Sequence, residues 1–226
     1  MKHKLVLVIV TALLLMPSTA CGDGQSESST QGSETLTEAN ETPQDSGNTS
    51  RSAAAGEVAI KFDYEKISGM ASNQFAIWIE DMDGNYVNTL YATRWTANGG
   101  YESRPDSIAS WVSKSKLASM PKAKVDAIAG ATPNTGNLSY SWDLTDADGE
   151  SVQSGEYKFF VEGTLRWKNH VVYSGVIALG DAPMTIDANM EFVYEASDGQ
   201  AALTGESPEN AMIGAVTASF VPAADN

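Results

Sequence analysis

From residue 58 onward the chain alternates between apolar and polar positions. Val58, Ile60, Phe62 and Tyr64 are separated by Ala59, Lys61 and Asp63, the two-residue period of a strand with one buried face. Phe75, Ile77 and Ile79 repeat the period against Ala76, Trp78 and Glu80, and after Asp83-Gly84-Asn85 it continues through Tyr86, Val87, Leu90 and Tyr91. Gly84 accepts the positive φ of a tight turn, so the two runs predict a hairpin. Strand-like segments also occupy 138–142, 156–162, 171–178, 184–194 and 211–221, with Asp146-Ala147-Asp148-Gly149 as the turn between the first two. Residues 104–117 break the period. Pro105 suits a first helical turn, and Ile108, Trp111, Val112 and Ser115 fall on one helical face. About eight strands and one short helix predict an antiparallel β-sandwich, with the helix packed over an end or edge of a sheet.

The N-terminus follows a different pattern. Lys2, His3 and Lys4 precede an apolar run from Leu5 to Met16, which gives way to Ser18-Thr19-Ala20 and then Cys21. The run is too short to span a bilayer as a helix and ends in small residues, as an export leader does. Cys21 is the chain's sole cysteine. Its position resembles a bacterial lipoprotein signal, with Ser18 where leucine is usual. That implies a leader over 1–20, an acylated Cys21 and attachment to the outer face of the cytoplasmic membrane. The other reading is ordinary secretion, with Ser18 and Ala20 serving the general signal peptidase. Residues 21–55 are rich in Ser, Thr, Gly and Glu, and Leu36 is their one large aliphatic. Such a segment predicts a solvated tether, and 56–226 predicts a single folded domain.

Charge and missing residue types narrow the function. The net charge is −15. The leader carries two lysines, and residues 22–55 carry six acids against Arg51, which leaves −12 on 56–226. That argues against a nucleic-acid partner, which needs Lys/Arg clusters. The one basic cluster, Lys114, Lys116, Lys122 and Lys124, reads as a solvated face. Past Cys21 no thiol remains, and His170 is the one histidine beyond the leader. This excludes a thiol catalyst and the usual His/Cys zinc sets, and leaves a Ser-His-Asp triad no candidate but His170. The Asp-x-Asp-Gly turns at 81–84 and 146–149 lack the ligand series of a calcium loop and read as hairpin turns. Trp95, Tyr101, Trp111 and Trp167 offer a stacking platform for sugar rings.

Trp142-Asp143-Leu144-Thr145-Asp146-Ala147-Asp148-Gly149, followed by Val152, Gly155 and Tyr157, resembles the strand–turn–strand signature of immunoglobulin-like domains of the flagellar-hook-capping type. The wider chain resembles domain-of-unknown-function family 2271, a family of predicted periplasmic proteins. Ile77-Trp78-Ile79-Glu80-Asp81, Arg104-Pro105 with Trp111, the run Val125 to Pro133, Trp142-Asp143, and Gly155 with Tyr157 carry that resemblance. It implies an immunoglobulin-like sandwich and no settled activity. A shorter stretch, Asp126-Ala127-Ile128-Ala129-Gly130-Ala131-Thr132, is similar to the flavinylation motif of exported electron-transfer proteins, with Ala129 where Ser or Thr is usual. That similarity implies FMN joined to the Thr132 hydroxyl by a dedicated transferase. Asp126 would be a recognition carboxylate, and Gly130 and Ala131 would allow close approach.

The expectation from sequence is therefore a lipid-anchored, non-catalytic binding or accessory module without a cofactor. Its partner would be an envelope protein or polymer. The alternatives are an electron carrier with covalent FMN on Thr132, and a carbohydrate-binding module.

Overall fold

The computed structural model describes residues 52–66, 73–166, 169–193 and 212–224. The chain divides into two units, 1–47 and 48–226. The first, which contains the leader and Cys21, lies outside the described residues.

Two sheets pack face to face. The four-stranded sheet has β1 (Gly56–Tyr64) between β5 (Gly136–Trp142) and β10 (Ile213–Pro222), with β8 (Met184–Asp187) on the far side of β10. The six-stranded sheet runs β4 (Ala129–Gly130), β3 (Tyr86–Thr93), β2 (Gln74–Asp81), β6 (Gly155–Arg166), β7 (Asn169–Leu179) and β9 (Asn189–Val193). Neighbours are antiparallel except β3 and β4. The chain is a β-sandwich, as its alternation predicts. Val58, Ile60, Phe62 and Tyr64 of β1 point inward, as do Phe75, Ile77 and Ile79 of β2 and Phe159 and Val161 of β6.

The strand β2 departs from simple alternation, because both its faces are buried from Gln74 to Glu80. Its second face, Ala76 and Trp78, joins Ala92, Ala97, Ile108, Trp111, Leu117 and Val125 in a separate core. The insert between β3 and β4 covers that face.

The insert corrects the expectation of one helix over 104–117. It holds an irregular turn Thr96–Gly100, then α1 (Tyr101–Ser103), α2 (Ala109–Lys114), a 3₁₀ turn Leu117–Ser119 and α3 (Lys122–Ile128). Ile108 and Lys116 have φ of 43° and 53°, and these left-handed residues bound α2 on both sides. A β-branched residue is strained there. Its surroundings hold it: Ile108 is fully buried, and its N–H donates to Thr164 Oγ1 at 2.7 Å. The carboxylate of Glu162 accepts from Ser110 N–H at 3.2 Å and Trp111 N–H at 2.9 Å.

The segment 184–194, expected as one strand, is two. Ala188 separates β8 from β9, and its N–H donates to Val216 O. β8 then pairs with β10 and β9 with β7, so the chain passes from one sheet to the other. Residues 52–55, placed in the tether by composition, are bonded to the body: Ala54 N–H donates to Val152 O and Ala223 N–H to Ala55 O.

Candidate functional site

The segment carrying the flavinylation-like motif closes the insert. α3 presents Asp126, β4 supplies Ala129–Gly130, and Ala131–Thr132 lead toward β5. β4 lies beside β3 in parallel register, Ala92 against Ala129 and Thr93 against Gly130. Glycine is required in β4. A Cβ at Gly130 would stand 2.1 Å from Cε2 of Tyr91, so the Tyr91 ring fills that space. The Tyr91 hydroxyl donates to the Ala131 carbonyl at 2.7 Å.

Tyr91 cannot easily move away. Its ring stacks on Phe75 at 4.9 Å and leans on Tyr140 at 4.8 Å. Phe75 touches Tyr64 at 5.4 Å and Phe62 at 5.7 Å. These five rings come from β1, β2, β3 and β5, so both sheets contribute to the wall behind the Gly130–Thr132 segment. Burial pushes the hydroxyls of Tyr64 and Tyr91 up to about 12 and raises Tyr140 as well, because a phenolate is poorly solvated there.

Thr132 is half-buried and Ala131 exposed. No hydrogen bond engages the Thr132 side chain among the described residues. Gly130, Ala131 and Thr132 are thus brought together on a fixed surface segment. Asp126 is not drawn toward them. It is exposed and paired with Lys122 at 3.0 Å, a surface pair of small energetic worth. Sequence reasoning missed two neighbours, Tyr91 and Arg94. Arg94 is exposed and immediately follows β3, and its charge bears on the Tyr91 hydroxyl, offsetting part of the effect of burial. No sequence pattern signals this, because the pairing of β3 with β4 spans the whole insert.

Other expected sites resolve differently. Trp111 is fully buried and donates through Nε1 to Thr89 Oγ1 at 2.9 Å, which removes it from any sugar platform. Trp167 lies outside the described residues. Tyr101 is half-buried and packs on the insert's core. Three lysines of the basic cluster have separate partners: Lys114 with Glu80 at 3.0 Å, Lys122 with Asp126, and Lys124 with Asp148 at 2.6 Å. The carboxylates of Asp81 and Asp146 serve their own turns. Asp81 accepts from Asn85 N–H and Nδ2, and Asp146 from the N–H groups of Asp148 and Glu150. His170 stands opposite Thr164 in the β6–β7 register.

One family model, predicted periplasmic protein (DUF2271), matches residues 55–193. No curated protein and no solved structure matches the chain.

Proposed function

The chain belongs to this family of predicted periplasmic proteins, and from that premise we propose that it is an extracytoplasmic electron carrier bearing FMN on Thr132. We also read Cys21 as acylated, which holds the domain at the outer face of the cytoplasmic membrane through the tether.

The observation that carries the proposal is the presentation of Gly130-Ala131-Thr132. The segment is pinned by the Tyr91 ring and hydroxyl, yet its threonine hydroxyl stays unengaged among the described residues. A modification site must be reachable by a second enzyme and fixed enough to place its product. The residues fit the group: a hydroxyl for the phosphoester and a backbone with small side chains on its approach. Attachment is a phosphoryl transfer by a separate transferase. The Thr132 hydroxyl displaces a nucleoside monophosphate from a flavin dinucleotide and gives its proton to the transferase. Once bound, FMN supplies one- and two-electron redox chemistry. The chain's own residues anchor it, orient it and set its electrostatic surroundings.

The test is co-expression of the full chain, leader included, with an exported flavin transferase. Membrane fractions are then examined by denaturing gel and intact mass. We expect in-gel flavin fluorescence and an FMN-sized mass increase that Thr132→Ala abolishes. An unmodified wild type overturns the flavin reading and leaves the non-catalytic accessory module. Wild type recovered only in the soluble fraction overturns the lipid anchor.

A further inference from the structure

The parallel pairing of β3 and β4 has a geometric consequence. Parallel strands leave their ladder at the same end. Thr93 stands beside Gly130, so Arg94-Trp95 and Ala131-Thr132 emerge next to each other. The two residues on the β3 side have unusual surroundings.

Trp95 is 47% exposed, whereas Trp78, Trp111 and Trp142 are buried. Its indole is nonetheless fixed. A Cβ on Gly100 would stand 2.5 Å from Trp95 Cδ2 and 2.6 Å from Cε3, so the ring rests on Gly100 across the turn Thr96–Gly100. One part of the indole is covered and the rest faces solvent. A large ring backed on one side and open to solvent on the other is a stacking surface.

Arg94 is exposed and forms no ion pair among the described residues, although the chain carries 29 acidic residues. Its charge acts on Tyr91, and the Tyr91 hydroxyl is bonded to the Ala131 carbonyl. Arg94 follows Thr93, the residue paired with Gly130, so its backbone leaves the ladder at the end from which Ala131 and Thr132 depart.

Resting on the Thr132 reading, we propose that Arg94 and Trp95 form the receptor for the attached group: Arg94 pairs with the phosphate of the phosphoester, and Trp95 stacks on the isoalloxazine ring. A guanidinium fits phosphate oxygens by shape and charge. An indole offers the flat, polarisable face that a flavin ring stacks against. Without such a receptor, a flavin on a single phosphoester would swing freely. With it, the ring has one preferred position.

The experiment uses the full chain loaded by the transferase, with loading quantified by mass before any optical measurement. Stacked indole quenches flavin emission by electron transfer. We expect loaded Trp95→Leu to emit roughly fivefold more per flavin than wild type, the ratio that a stacking preference of ~1 kcal/mol sustains. Trp95→Phe, which keeps a ring on Gly100, should lie between the two and covers the case in which the leucine variant does not fold. Loaded Arg94→Gln should move the ³¹P resonance of the phosphodiester, because the guanidinium no longer pairs with its oxygens. Loaded Trp95 variants with wild-type emission overturn the stacking role, and an unchanged ³¹P resonance in Arg94→Gln overturns the pairing role. An unloaded wild type removes the Thr132 reading and the receptor together, so the two failures are distinct.

Discussion

Gly130 shows how much one residue can fix. The Tyr91 ring occupies the position of its missing Cβ, and that ring is held by Phe75 and Tyr140. Gly130→Ala therefore forces three aromatic side chains to shift. We expect a loss of about 2 kcal/mol in stability, as for other overpacked sites, read as a lower denaturant midpoint at unchanged m. Loading of Thr132 should fall with it, and an alanine variant as stable as wild type would show that the ring yields freely. At this scale the motif residues were legible in sequence, because glycine, alanine and threonine in a row are a local pattern. Arg94 was not, since its relevance depends on a strand pairing across the insert. Trp111 shows the reverse error. Its residue type suited an exposed platform, but only packing decides which face of a tryptophan meets water, and Trp111 faces β2 and β3 with its Nε1 on Thr89.

Among the elements, the insert depends on two side chains of β6. Thr164 accepts from Ile108 N–H and Glu162 from Ser110 and Trp111 N–H. Glu162 is fully buried. Burial pushes its carboxyl upward against the opposing pull of those N–H groups and of His170. Removing the side chain leaves the buried Trp111 N–H and the part-buried Ser110 N–H without their acceptor. Glu162→Ala should cost about 3 kcal/mol, while Glu162→Gln, which keeps one acceptor and sheds the buried charge, should cost less. Urea denaturation checks both, and faster amide exchange at Ser110 and Trp111 in the alanine variant locates the loss in α2. Equal stability of all three chains would show that the carboxylate does not hold the insert. The sequence pattern could not predict this element correctly. Its apolar spacing suits one helix, but docking Ile108 against β6 imposes a left-handed residue that interrupts it. For the same reason 184–194 reads as one strand: its composition suits strand throughout, and the change of sheet at Ala188 comes from the Val216 carbonyl on a strand distant in sequence.

At the scale of the whole domain, the candidate site and residues 52–55 lie at opposite ends of the sandwich. Gly56 begins β1 and Tyr64 ends it, with Val58 paired to Trp142 and Tyr64 to Gly136. Residues 52–55 are bonded near Val152 at the first end, whereas Tyr64 and Phe75 adjoin Tyr91 and the Thr132 segment at the other. Nine residues of strand separate these ends by about 30 Å. The tyrosine cluster that joins the sheets at the site's end also makes stability depend on pH. Tyr64 and Tyr91 titrate near 12 when folded, against an ordinary value of 10. Below pH 10 both states keep these protons and stability is complete. Above it the unfolded chain loses them first, so stability falls as pH rises through the folded values. Thermal unfolding from pH 9 to 12, with tyrosinate absorbance followed in parallel, checks this. The fall should be shallower in Tyr64→Phe, and tyrosines that all ionise near 10 without loss of stability would contradict it.

Alternation with a period of two is a property of neighbouring residues, so the chain alone announces a mainly β body with inward Val58, Ile60, Phe62 and Tyr64, and places a Gly-Ala-Thr motif before the strand at Leu138. Contacts between distant residues have no such local signature. That β2 is buried on both faces, that Ile108 is left-handed and that Thr93 pairs with Gly130 all follow from where a 35-residue insert returns to β3. That return is fixed by the packing of two cores, because each segment buries its apolar face against partners far along the chain.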